Sequence, residues 1–264
     1  MNRNTIKTLQ HKKERQHPVV VLTCYDASFA RLAEQAGVDV LLVGDSLGMV
    51  VQGHETTVPV TLDEMVYHTA NVARKSRQAL VISDMPFMSY ATPEQAMQHA
   101  ARLMQAGGAQ MVKLEGGVGQ VPTVQHLTRC GIPVCAHLGL LPQSIHQLGG
   151  YQVQARAAAA AEQLLREAQQ LQSAGAQLLV LECVPQALAA QVSRTLDIPV
   201  IGIGAGPDTD GQVLVLYDVI GISANTMPRF AHNFLAETDS VAEAIAAYTS
   251  AVRERRFPTE QHSF

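Results

Sequence analysis

Several features that would mark a partner-specific protein are missing from this sequence. Its 264 residues carry a net charge of −4, so no basic field invites nucleic acid, which is excluded as an expected partner. No apolar run approaches the ~20 residues that span a bilayer, which leaves membranes out as well. The N-terminal stretch "MNRNTIKTLQHKKERQHP" has no apolar segment of the signal-peptide kind, and its Lys and Arg residues read as a solvated helix face. Cysteine is scarce: Cys24, Cys130, Cys135 and Cys183 form no C-x-x-C pair and no metal-ligand spacing. Three of them (Cys24, Cys135 and Cys183) lie in or beside apolar runs, where a reduced thiol behaves as a small hydrophobe. A reducing cytoplasm is the expected compartment. The glycine-rich turn that a dinucleotide fold places after its first strand is also missing, because "CYDASFARLAEQAG" stands there instead. The string "GIGAGPDTDG" (202–211) comes only after the seventh apolar run and reads as a loop.

What the chain does have is a large apolar fraction, 47% against 16% charged, enough to bury a large core and to exclude disorder. The apolar residues gather in eight short runs: 19–26, 38–46, 79–87, 109–117, 132–140, 176–185, 198–206 and 212–222. They are nearly continuous rather than alternating, the habit of parallel strands covered on both faces. Helical patterns lie between most of them. "TLDEMVYHTANVARK" begins with Thr61 and has Glu64 three residues later, a capping box. "TPEQAMQHAARLMQAGG" pairs a Thr92 cap with Pro93 in the first turn and stops at Gly107. "QVQARAAAAAEQLLREAQQLQSAG" is a strong helix former by its alanine content, and "SVAEAIAAYTSAVRER" closes the chain with another Ser-x-x-Glu start. No linker or low-complexity tract divides the sequence. The expected fold is a (β/α)8 TIM barrel forming a single catalytic domain over 1–264, with an N-terminal helical extension.

Four of the apolar runs end on an acid. "EQAGVDVLLVGDS" ends at Asp45, "ALVISDMPF" contains Asp84, "QAGGAQMVKLEGG" reaches Glu115 and "SAGAQLLVLECVP" reaches Glu182. With 23 acids in the whole chain, eight strand tips should carry fewer than one by chance. In a barrel of this class the C-terminal strand ends share one face, where active sites lie. Asp45, Asp84 and Glu115 belong to consecutive strands, ~4.8 Å apart. Three carboxylates so placed raise one another's pKa unless a cation resolves the repulsion. All-oxygen ligation suits Mg²⁺, with Mn²⁺ or Ca²⁺ as alternatives; helix capping or lysine pairing is the structural alternative for each acid. Lys113 shares a strand face with Glu115, His137 ends the fifth strand and Ser46 follows Asp45, so these three form a candidate anion-binding set. Glu182, set apart by His137, stands where a general base belongs. A metal, an anion clamp and a separate carboxylate suit proton abstraction beside the carbonyl of a 2-oxo acid.

The blocks "LTCYDASFA", "LLVGDSLGMVVQGHETTVPVTLDEMVYHT", "DMPFMSYATPEQA", "MVKLEGG", "HLGLLPQ", "GGYQVQ", "LLVLECVP", "IPVIGIGAG" and "TDGQVLV" resemble the ketopantoate hydroxymethyltransferase family from about Thr5 to the C-terminal "QHSF". The resemblance implies that Asp45, Asp84 and Glu115 hold one Mg²⁺ per subunit. It also implies that Asp45, Ser46, Asp84, Lys113 and His137 surround 3-methyl-2-oxobutanoate, and that Glu182 is the base. The implied electrophile is the one-carbon unit of 5,10-methylenetetrahydrofolate, with 2-dehydropantoate and tetrahydrofolate as products on the route to pantothenate and coenzyme A. The implied assembly is a homo-oligomer, commonly a decamer. Ala136, Leu141, Ala155 and Tyr217 depart from the residues usual in that family (Gly, Thr, Gly and His). The rival readings are another metal-enolate lyase cleaving C–C or C–P bonds of a 2-oxo acid, with "GDSLGMVVQGHETT" as its lid, and an inactive binding barrel.

Overall fold

The computed structural model of the protein describes residues 3–223 and 226–264; the first two residues of the N-terminal stretch lie outside it. Eight parallel strands close into a barrel in chain order: β1 (Val19–Thr23), β2 (Val40–Val43), β3 (Leu80–Asp84), β4 (Met111–Glu115), β5 (Val134–Gly139), β6 (Leu178–Glu182), β7 (Val200–Ile203) and β8 (Gly211–Leu214). The apolar runs predicted this order because each is buried on both sides. One residue parity (Val19, Val21, Val40, Leu42, Leu80, Ile82, Met111, Cys135, Leu178, Val180, Ile201, Val213) fills the barrel interior. The other parity packs under the surrounding helices. Among the described residues no helix is long and apolar enough to cross a membrane.

The helices begin where their caps predict. Thr61 and Glu64 form a reciprocal capping box on helix Leu62–Lys75, and the Thr92 side chain accepts from the Gln95 N–H ahead of helix Pro93–Gln105. The N-terminal helix Ile6–Glu14 closes the bottom of the barrel, where Leu9 joins the interior apolar set. Lys12 pairs with Asp39 at 3.0 Å and Lys13 with Asp210 at 2.7 Å, pinning that helix to the strand starts.

Two expectations need correcting. The run 212–222 is not one strand: β8 stops at Leu214, and Leu216–Val219 forms a helical turn whose leading N–H, that of Leu216, donates to the Thr23 hydroxyl of β1 at 2.9 Å. The alanine-rich helix does not start at Gln152. It spans Ala158–Ser173, since Ala155 takes a positive φ of 55°, a conformation that no helix contains. The string 202–211 turns directly from β7 to β8 without a helix. Its Asp210 carboxylate accepts from the Val200 N–H and the Ser193 hydroxyl at 2.9 and 2.8 Å, a local structural role.

The seam between β8 and β1 is held from outside by helix Val241–Arg253. Its Tyr248 is fully buried. The hydroxyl stands 2.8 Å from the Val21 carbonyl of β1 and 3.1 Å from the Gln212 carbonyl of β8, one proton shared between the two strands.

Candidate active site

Strand parity decides which tip residues face inward. Asp84 continues the series Leu80–Ile82, Lys113 and Glu115 continue from Met111, His137 follows Cys135, and Glu182 follows Leu178–Val180. Register then sets their heights. Asp84 is level with Lys113 on the next strand, Glu115 with His137, and Glu182 with Gly139. Gly139 must be glycine there: its φ is +92°, and a Cβ would sit 2.1 Å from the Glu182 carbonyl oxygen. Asp45 is the exception to strand parity. β2 ends at Val43, and the carboxylate comes from the following turn, after Gly44. A Cβ at Gly44 would sit 2.7 Å from Ser46 Oγ, so glycine leaves room for that hydroxyl, and the Asp45 N–H donates to Asp84 Oδ2 at 3.0 Å.

These groups form one buried polar array. Lys113 Nζ is 2.9 Å from Asp84 Oδ1 and 3.8 Å from Glu115 Oε1. His137 Nδ1 lies 3.3 Å from Lys113 Nζ and 3.4 Å from Glu115 Oε1, while its Nε2 faces Glu182 Oε2 at 3.2 Å without the alignment of a hydrogen bond. Burial and the charges of Asp84 and Glu115 together push the Asp45 carboxyl well above the usual carboxylate range. Burial also works against the Glu115 anion, but His137, Lys113 and the Gln143 N–H outweigh it and hold that carboxyl low. Desolvation would lower Lys113, yet the carboxylates of Asp84, Glu115 and Asp45 raise it and keep it an ammonium. For His137, burial and the Lys113 charge pull down while Glu115 and Glu182 pull up more strongly, to about 9.

Two further residues organise this array. Gln143, in the turn after β5, donates from Nε2 to Asp45 Oδ2 at 2.7 Å and to the Met85 carbonyl at 2.9 Å, and from its backbone N–H to Glu115 Oε2 at 3.1 Å. Tyr90 donates its hydroxyl to Gln143 Oε1, which fixes which way the amide points. The carboxylates after β2 and on β4 are thus tied together through one residue, its side chain reaching Asp45 and its backbone N–H reaching Glu115. Sequence reasoning did not find this pair; "HLGLLPQ" contained Gln143, but nothing in its spacing marked the bond to Asp45. Ser46 is where expected, and its Oγ lies 2.9 Å from the Tyr25 hydroxyl, which was also not foreseen.

All of these side chains except Gln143, Tyr90 and Tyr25 line a cavity of about 690 Å³ at the C-terminal end of the barrel. Glu182 is its most accessible carboxylate of the array, with 14% of its side chain exposed against 3–4% for Asp84 and Glu115. From the "GDSLGMVVQGHETT" segment, Met49, Val50 and Glu55 reach the cavity and His54 does not. Among the described residues, no three His, Cys, Asp or Glu side chains already stand at the spacing of a metal cage. The cation that the carboxylates now surround is the Lys113 ammonium. Of the four departures from the resemblance, Ala136 is buried under the helices, Tyr217 stacks on Tyr25 with ring centroids 5.8 Å apart, and Ala155 carries the positive φ already described. Nothing in the structure explains Leu141.

Residues 3–260 match the family described as ketopantoate hydroxymethyltransferase. A 3-methyl-2-oxobutanoate hydroxymethyltransferase of Nitrosococcus oceani is 57% identical over 266 residues, covering 100% of both chains. That of Alkalilimnicola ehrlichii is 58% identical over 260 residues, 98% of this chain and 94% of the relative. Among solved structures, a phosphonopyruvate hydrolase in complex with oxalate and Mg²⁺ superposes with a TM-score of 0.61 at 12% identity, over 94% of this chain and 84% of its own. A 2,3-dimethylmalate lyase of the PEP mutase/isocitrate lyase superfamily gives 0.57 at 20% identity, over 79% and 80%. These two likenesses concern the barrel alone; the sequence matches run the length of the chain, and the chain belongs to the ketopantoate hydroxymethyltransferase family.

Proposed function

We propose that the whole chain, 1–264, acts as one catalytic unit that transfers a hydroxymethyl group from 5,10-methylenetetrahydrofolate to 3-methyl-2-oxobutanoate. The products are 2-dehydropantoate and tetrahydrofolate, in the synthesis of pantothenate. The observation that carries this reading is the buried array itself: three mutually repelling carboxylates, an ammonium, an imidazole and one more accessible carboxylate facing a single cavity.

The donor chemistry fits Mg²⁺. Asp45, Asp84 and Glu115 offer only oxygen, and burial together with the charges of Asp84 and Glu115 raises the Asp45 carboxyl against the opposing pull of Lys113. Bound there, Mg²⁺ would draw charge from the keto and carboxylate oxygens of the oxo acid and acidify the C3 hydrogen. The remaining roles fall to the chain's own residues. Ser46 donates to the substrate carboxylate, with its hydroxyl oriented by Tyr25. Lys113 and His137 supply positive charge beside the same anion, and Asp45 and Asp84 border it. Glu182 removes the C3 proton. It stands on the strand beyond His137, whose Nε2 faces it at 3.2 Å and separates it from the carboxylate trio. The carbon nucleophile then attacks the one-carbon unit, whose two C–N bonds to the folate break in turn; water supplies the hydroxyl oxygen of the product, and the folate nitrogens take up protons to leave tetrahydrofolate. A homo-oligomer is proposed from the family, as is a cytoplasmic setting.

The test is proton NMR in D2O. With protein and Mg²⁺, the C3 hydrogen of 3-methyl-2-oxobutanoate should wash out, EDTA should stop it, and 5,10-methylenetetrahydrofolate should convert the substrate to 2-dehydropantoate. Exchange without conversion would remove the folate donor from the proposal; no exchange with or without tetrahydrofolate would remove the enolate chemistry and favour a barrel that only binds.

A further inference from the structure

The polar array occupies one side of the cavity, on β2 to β6. The volume, about 690 Å³, falls in the range of sites for drug-sized ligands, roughly 300–1,000 Å³, and far exceeds what a five-carbon oxo acid fills. The other wall, from β7, β8 and β1, has a different character. Ile203, Val213, Val215 and Phe230 make it apolar. One charged group interrupts it. Asp218, on the helical turn after β8, is 5% exposed and lines the cavity. Its carboxylate has no hydrogen-bond or ion-pair partner among the described residues. Burial alone shifts its proton affinity, so no charged neighbour compensates it. An unpaired carboxylate held in an apolar wall costs stability, and a fold that retains one has left a partner to be supplied by a ligand. At the rim stands a charge of the opposite sign. Arg229 is exposed, donates from Nε to the Gln261 carbonyl at 3.0 Å, lies 5.3 Å from the Phe264 ring centroid, and pairs with no carboxylate among the described residues.

We propose that Asp218 and the wall around it bind the pyrimidinone end of the reduced folate, and that Arg229 receives the glutamate tail at the rim. This rests on the folate donor proposed above. A reduced pterin presents N3–H and the 2-amino group as two parallel donors on one edge, the pattern a carboxylate accepts in bidentate fashion. Its flat faces suit Ile203, Val213, Val215 and Phe230. The anchored edge is the one remote from N5, so a pterin seated on β8 turns its one-carbon end toward the oxo acid on the opposite wall. The charges also run in the right order, a carboxylate inside for the donor edge and a guanidinium outside for the anionic tail.

The experiment measures binding of two probes, tetrahydrofolate and 6-methyltetrahydropterin (which has no glutamate), by anaerobic calorimetry on the full chain with Mg²⁺. Asp218→Asn keeps the shape and removes the charge; it should weaken both probes by about 10- to 100-fold, the loss expected for a charge-assisted pair. Arg229→Gln should weaken tetrahydrofolate only. Binding of 3-methyl-2-oxobutanoate serves as the fold and site control, and it should stay within about twofold in both variants. Unchanged pterin affinity in Asp218→Asn, with wild-type protein binding tetrahydrofolate normally, overturns the assignment. If wild-type protein binds neither probe and consumes no 5,10-methylenetetrahydrofolate, the folate reading itself falls and the assignment with it. Weakening of the oxo acid equal to that of the pterin also overturns it, since Asp218 would then shape the whole cavity.

Discussion

Replacing Gln143 by methionine tests whether the carboxylates are held in place by their surroundings or merely happen to be close. The substitution keeps an unbranched side chain of similar length and removes every polar atom beyond Cβ. Lost are the bond to Asp45 at 2.7 Å, the bond to the Met85 carbonyl at 2.9 Å and the acceptor for the Tyr90 hydroxyl. The backbone donation to Glu115 at 3.1 Å remains. The first loss involves a charged acceptor and is worth about 1.5–3 kcal/mol, and each buried group left unpaired costs about 1–3 kcal/mol more. With some relaxation the metal-free protein should lose roughly 3–6 kcal/mol, or about 6–24 °C in Tm. The more informative quantity is Mg²⁺ affinity without oxo acid, measured by calorimetry. Outer groups that orient ligands typically contribute about 10- to 100-fold in metal affinity, and Gln143→Met should show a loss of that size. Tyr90→Phe leaves the amide but not its orientation, so its loss should be several-fold. If Gln143→Met lowered Tm as calculated yet bound Mg²⁺ within twofold of wild type, Gln143 would be a packing residue and the positioning argument would be wrong.

Glu182→Gln should leave Mg²⁺ and oxo-acid affinity nearly intact while C3 hydrogen exchange falls by at least about 100-fold, the usual scale of a general base; parallel loss of binding would make Glu182 a ligand instead. Asp84→Ala should weaken Mg²⁺ before anything else, read by the same calorimetry, with unchanged Mg²⁺ affinity counting against its place in the metal set. Burial pushes the Asp218 carboxyl up to about 6 from 3.8, so the folded chain binds that proton more tightly than the unfolded one. Its contribution is therefore neutral below about pH 4 and becomes destabilising as pH rises to 6, reaching about 3 kcal/mol above that. Asp218→Asn should accordingly melt higher than wild type at pH 7.5, with the gap closing by pH 4; a constant gap would deny the shift. Ala155→Gly, at φ 55°, should stabilise by about 0.5–1 kcal/mol, because the left-handed strain of alanine exceeds the entropy glycine loses; a lower Tm would show that the partly buried methyl's packing against the core outweighs that strain.

The barrel was legible because its strands are buried on both faces, which leaves runs such as "VVVLT" with no polar interruption until the chain reaches the catalytic end. For the same reason Asp84, Lys113, Glu115, His137 and Glu182 stood out: each is a charged or polar residue at the interior parity. Asp45 was found by its place at a run's end, although the structure delivers it from a turn off that parity. What stayed hidden depends on contacts between distant loops. Gln143 meets Asp45 across 98 residues and Tyr90 across 53, and no local pattern encodes such a meeting. Asp218 was absorbed into a supposed strand because "VLVLYDVIGI" stays apolar through the break at Val215. Hydropathy cannot see a change from strand to helical turn when both are buried.

The position of Tyr248 has a consequence for how the molecule is made. A chain emerging in order can pair β1 with β2, β2 with β3 and so on by short-range encounters. The last pairing instead joins residues near 20 to residues near 213, a closure with a far larger loop entropy. The proton that ties those two strands comes from the helix at 241–253. Until β8 is present, the chain can form only an open, right-twisted sheet with two unpaired edges, one of them β1; the helix then adds its proton across the closed seam. The acidic tips on β2, β3 and β4 lie within the part that assembles first, whereas the wall bearing Val213, Asp218 and Phe230 belongs to the part that arrives last. A nascent chain would therefore carry its cluster of negative charge before it has a second wall to enclose it, and sealing the seam and finishing the cavity become a single event.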